Sequence, residues 1–237
     1  MPSAPALPRG LILLASLWLF LSWIGSMGVH PPLLVATSSY TPSVRLMMLS
    51  SAVGALVAWP LLRLSAARTH APVRAVLLDL AVVLGMLNMV LWPLRLVTPW
   101  PVARMAVLML ILAAWIACVA GIVSIGWGSR RGWVRAAAMI AVLAISIGAI
   151  GIRAIAPTAL APFPWALAGP VEAILTMTTP GGAPPLTSER AALEISVAAA
   201  LAAWSAALVV SAVRRRSGAS SGGLPRTRPA DTLAAWN

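Results

Sequence analysis

The stretch VARMAVLMLILAAWIACVAGIVSIG at residues 102–126 carries a single charge, Arg104, near its start. As an α-helix rising about 1.5 Å per residue it reaches about 37 Å, enough to cross the ~30 Å hydrocarbon core of a bilayer. Working outward, five more runs have the same character: about 10–28, 46–65, 75–94, 134–156 and 191–213. The whole chain agrees with them. Of its 237 residues 60% are hydrophobic and 9% charged, whereas soluble domains carry about 25% charged residues. So few charges cannot cover the apolar surface of a soluble fold of this size. The expected fold is an all-α integral membrane protein of six transmembrane helices, with residues 1–216 forming one membrane domain. The Ser/Gly/Pro-rich tail 217–237 is expected to be a disordered cytoplasmic segment. The first run reads as a retained signal anchor, because MPSAPALPR holds one arginine and no A-x-A site follows.

All 17 cations are arginine, which fits a GC-rich genome. The net charge of +12 might be thought to suggest nucleic acid, but the arginines lie in short clusters between apolar runs and at the C-terminus. That pattern marks topology and contact with anionic lipid heads, so no nucleic-acid partner is expected. With the N-terminus inside, the inner segments hold Arg9, Arg63, Arg68, Arg74, Arg130, Arg131, Arg135, Arg214, Arg215, Arg216, Arg226 and Arg228, 12 of the 17. The outer ends hold Arg45, Arg95, Arg104, Arg153 and Arg190. The expected topology is therefore N-in and C-in, in the plasma (inner) membrane of a bacterium.

Two phrases, VAWPLLRLS at 57–65 and VLWPLRLVT at 90–98, each place Trp-Pro-Leu and then Arg-Leu near the end of an apolar run. Tryptophan favours the headgroup layer, proline removes a backbone donor, and arginine snorkels to phosphate. Both phrases read as helix terminators at an interface. Segment 29–45 reads as an outer loop. Segment 157–190 is too apolar for a plain loop, and WALAGPVEAILTM at 165–177 has the length of a short outer helix, re-entrant or interfacial, that does not cross.

Three acids lie inside or beside apolar runs: Asp79, Glu172 and Glu194. Charges at such depth either handle ions or protons, or form structural pairs. All three lie near helix ends, which favours pairing. Asp79 is expected to meet Arg63 or Arg135 at the inner layer. Arg153 is expected to meet Glu194 or Glu172 at the outer layer, with Arg190 as a rival partner for Glu194. His30 and His70 fall on opposite sides, so they share no metal, and lone Cys118 forms no intrachain disulfide. No nucleophile, phosphate-binding or metal motif is recognisable, so no enzyme, cofactor or metal is expected. The Ala-rich sixth run, ALEISVAAALAAWSAALVVSAV, and Gly148 and Gly151 in the fifth offer close helix contact. The expected partners are the lipid bilayer and either other membrane subunits or a second copy.

Residues 10–216, with APFPWALAGPVEAILTMTTPGGAPP before the sixth run and RRR after it, resemble the membrane subunit of type-2 ABC exporters. The resemblance implies six helices, both termini inside and a re-entrant outer segment between helices five and six. It also implies a permease-like role with a separate ATPase chain, since no nucleotide-binding motif is present. The chain departs from that family in having only nine residues before the first run and a short 66–74 connection. The alternative function is a non-catalytic structural or assembly subunit of a larger membrane complex.

Overall fold

The computed structural model describes residues 9–28, 37–67, 71–155, 169–178 and 187–220. Helices and short connections account for all of them. In chain order they are α1 (Arg9–Met27), α2 (Thr37–Val53), a π-helical turn (Gly54–Ala58), α3 (Trp59–Ser65), α4 (Pro72–Leu91), a 3-10 turn (Trp92–Val97), α5 (Val102–Trp127), α6 (Gly132–Ile155), α7 (Pro170–Met177) and α8 (Thr187–Ser220).

Five helical segments are long and apolar enough to cross a bilayer: Arg9–Met27, Tyr40–Ser65, Pro72–Arg95, Val102–Trp127 and Glu189–Arg214. The fifth expected run, 134–156, coincides with α6, which is 24 residues long and has Gly132–Gly148 as its described apolar part. Tail residues 221–237 lie outside the described residues.

The most apolar helix becomes the axis of the bundle. In α5, 61% of the spanning window is buried, against 11% in α1 and 17% in α8. Helices α3, α4, α6, α7 and α8 all pack on it. It approaches α8 closely at Gly121, where a Cβ would lie 2.9 Å from Ala203 Cβ and 3.0 Å from the Ala203 carbonyl carbon. Small residues on both helices allow that approach, so dispersion contacts run backbone to backbone.

Residues 187–190 and 217–220, expected as outer segment and disordered tail, belong to α8, and two further segments also depart from expectation. Residues 37–45, expected as loop, are the start of α2. Pro42, the sixth residue of α2, lies inside the helix and leaves one intrahelical hydrogen bond unmade. The first Trp-Pro phrase closes its helix as expected, at Ser65, but not at the proline. Trp59 is buried and the chain continues helically to Ser65. The adjustment lies just before it, where Trp59 N–H bonds the Gly54 carbonyl, five residues back. Pro60 cannot donate to the Leu56 carbonyl, and Ser146 Oγ of α6 donates to that carbonyl instead, at 3.3 Å. The second phrase converts α4 into the 3-10 turn, which ends with Thr98 N–H on the Arg95 carbonyl.

Candidate functional site: charged clamps at the two ends of the bundle

One end gathers the close of α3, the start of α4, the close of α5 and the start of α6. Arg63, in the last turn of α3, places NH2 2.6 Å from Asp79 Oδ1 and Nε 2.5 Å from Oδ2. Asp79 is on the buried face of α4 with Val76 and Val83, two turns from its start. Its side chain is 2% exposed and that of Arg63 is 24%. The guanidinium carbon also lies 5.2 Å from the centre of the Trp127 ring, a cation–π distance. Trp127 in turn donates Nε1–H to the Ala67 carbonyl at 2.7 Å.

The carbonyls just past α3 have no intrahelical partner. Ala67 receives Trp127, and Ala66 receives Arg135 of α6 at 3.4 Å. Arg214, late in α8, does the same for α5 by donating to the Ile125 carbonyl at 3.3 Å. Gly128 makes room for it, since a Cβ there would lie 2.6 Å from Arg214 NH1. Cations at helix C-termini satisfy orphan acceptors and oppose the negative dipole end.

The opposite end follows the same logic. Arg45 of α2 donates Nε–H to Thr178 Oγ1 at 2.7 Å and NH2 to the Leu175 carbonyl at 3.0 Å, closing the C-terminus of α7. Arg104 of α5 lies 3.3 Å from Glu189 of α8, both side chains nearly enclosed. Each is the third residue of its helix. Glu172 is buried in the first turn of α7, where the helix dipole favours a carboxylate. The helix itself, eight residues and about 12 Å long, is too short to cross and packs on α5, α2 and α6.

Of the six residues singled out in the sequence, the structure thus brings together Arg63 and Asp79, sets Arg135 beside them on a backbone carbonyl, and buries Glu172 in α7. Glu194 is exposed on α8. The side chain of Arg153 lies outside the described residues, so the expected outer pair does too. Residues 165–168 and both histidines also lie outside them. The Arg104–Glu189 pair was missed because Glu189 reads as part of a loop. Its signal is equal depth: both residues stand one turn inside helices that start at the same end. Arg45 escapes the sequence reading for the same reason, because residues 37–45 read as loop.

Between the two charged layers the buried face of α5 runs through Leu108, Met109, Ile111, Leu112, Ile116, Cys118, Val119, Ala120 and Val123. Cys118 is the one ionisable side chain along that face, and the rest of it is apolar packing. No group of three or more His, Cys, Asp or Glu side chains converges among the described residues. No family model, curated protein or solved structure matches the chain.

Proposed function

We propose that the chain is a multi-pass subunit of a bacterial plasma-membrane complex, without catalytic machinery of its own. In this reading both termini are cytoplasmic, the Arg63 end is the inner one, and the chain acts by filling a place in an assembly. One observation carries it. The two ion pairs described, Arg63–Asp79 and Arg104–Glu189, lie toward opposite ends of the bundle and each joins two helices, and the axial helix between them is apolar. Arg63, Arg135, Arg214 and Arg45 each fasten one helix to another, so the chemistry at both ends is that of joinery.

The outward faces supply what such a subunit presents. Leu201, Leu208, Val209 and Val213 of α8 are exposed, as are Leu13, Leu17, Phe20 and Leu21 of α1. In a bilayer these faces meet lipid or neighbouring helices. Photo-cross-linking residues at Phe20 and Leu208 test the proposal in intact membranes. A discrete chain cross-linked at either position, without an ATPase in the same complex, is the expected result. Labelling of lipid alone at both positions refutes it.

A second reading, a permease subunit served by a separate ATPase, is favoured by α7. A short buried helix between α6 and α8 is the feature that likeness to type-2 ABC exporters implies. Any substrate path would then run between this chain and another. Co-purification of a stoichiometric ATPase selects that reading over the first.

A further inference from the structure

A cavity of about 180 Å³ lies between α1, the π-turn with α3, and α4. Its floor includes Leu19, Ala55, Trp59 and Leu87, all buried, and its rim includes Leu14 and Leu62, both exposed. The wall is carbon almost throughout. Cavities of ~150 Å³ lined this way stay dry and take benzene-sized apolar groups. The space therefore suits a run of methylenes and excludes a polar headgroup.

The cavity is built in, because the two helices that bound it are pinned together beside it. Trp18 donates Nε1–H to the Ser50 carbonyl at 2.9 Å. Its ring occupies the place a side chain at position 54 would need, since a Cβ on Gly54 would lie 2.4 Å from Trp18 Nε1. The π-turn then contributes only small residues, Gly54, Ala55 and Ala58, to the wall. Thus α1 is held at its middle, beside the cavity.

We infer that this cavity holds one acyl chain of an anionic phospholipid, entering from the bilayer past Leu14 and Leu62. The inference rests on the membrane reading above. A void against lipid forfeits dispersion contacts on one side, and a hydrocarbon chain restores them. The charge sign comes from Arg9. It is exposed, it opens α1, and it precedes the wall residue Leu11 by two positions. A chain seated along Leu11 and Leu14 brings its phosphate to the level of that guanidinium, a favourable contact at the membrane surface.

The test uses the full chain in mild detergent, supplied with 1-palmitoyl-2-oleoyl-phosphatidylglycerol or the matching phosphatidylcholine. Bound lipid is counted by native mass spectrometry. The wild-type protein is expected to retain a single phosphatidylglycerol. Ala58→Leu and Ala15→Phe, which fill the cavity, are expected to lose it, while Leu201→Phe on exposed α8 keeps it. Arg9→Gln is expected to keep a lipid and lose the preference for phosphatidylglycerol. Retention in a folded cavity-filling variant, or an unchanged preference in Arg9→Gln, overturns the inference. Should neither filling variant fold, phosphatidylglycerol with a diazirine at its acyl terminus decides on the wild-type chain. Labels within 11–19, 51–62 or 83–87 support the site, and labels only elsewhere overturn it. Carbonate extraction separates the two failures. A chain washed from the membrane sinks the membrane reading, whereas one that stays but binds no phosphatidylglycerol sinks the cavity assignment alone.

Discussion

Replacing Arg63 by methionine removes the cation and keeps the aliphatic stem. Asp79 then keeps its carboxylate at 2% side-chain exposure with its cation gone. Breaking a buried pair from one side costs about 3–5 kcal/mol, because an uncompensated charge stays behind. Asp79→Asn is milder, about 1.5–3 kcal/mol, the scale of a hydrogen bond to a charged group. Arg63 is then still 24% exposed and still lies over Trp127. Removing both charges, Arg63→Met with Asp79→Leu, returns most of the loss, since apolar replacement of a buried pair is close to neutral. At about 2–4 °C per kcal/mol for a chain of this size, Arg63→Met lowers Tm by about 6–20 °C. The protein supplies its own reporter. Cys118 is the only cysteine and is buried in α5, so a thiol-reactive fluorogenic dye follows unfolding in detergent. A Tm for Arg63→Met within 2 °C of the parent, or a double variant whose loss equals the sum of the singles, refutes the clamp.

Gly121→Ala puts a methyl group 2.9 Å from Ala203 Cβ and is expected to cost about 1–3 kcal/mol as α8 is forced outward, read with the same dye. A loss under about 0.5 kcal/mol contradicts the close approach. Arg45→Ala frees the end of α7, and hydrogen exchange at the Ile174–Thr178 amides is expected to quicken by about tenfold, with α5 unchanged. Equal quickening in both helices would mean that Arg45 supports the whole bundle instead. For topology, Arg131→Cys and Pro99→Cys in a Cys118→Ala background place thiols at exposed positions of opposite ends. An impermeant maleimide is expected to label position 99 and spare 131 in intact cells, and the reverse pattern inverts the orientation.

Much of the fold is legible because length and apolarity are strong signals. The runs at 10–28, 75–94 and 102–126 closely match α1, α4 and α5. The start of α2 is not legible, since Thr37, Ser38, Ser39 and Pro42 are loop-forming residues. What lies beyond them is anchored by tertiary contacts: Arg45 reaches 133 residues along the chain to Thr178. The Trp-Pro phrases both close a helical segment, but by different routes. They are nearly the same words, yet Pro60 finds a donor for its stranded carbonyl in Ser146 on another helix, while Pro93 lies in a turn that closes on Thr98. Proline specifies a missing bond, and the neighbours decide whether the helix stops. At the charged ends depth alone suggests which layer a residue occupies. Choosing Arg63 over Arg135 for Asp79 depends on helix rotation, which composition does not carry.

The π-turn resets the phase of the helix that follows it. One extra residue in a regular α-helix rotates everything after it by about 100°. An i→i+5 turn takes up that residue as a local widening and leaves the downstream face nearly where it was. Val44, Met48 and Ala52 before the turn, and Trp59 and Leu64 after it, can therefore address the same core across an inserted position. Length and orientation are decoupled at Gly54–Ala58. A chain shorter by one residue there would straighten into plain α-helix and still aim Arg63 at α4. The same deletion anywhere between Trp59 and Leu62 would swing the guanidinium by more than a quarter turn and away from its carboxylate.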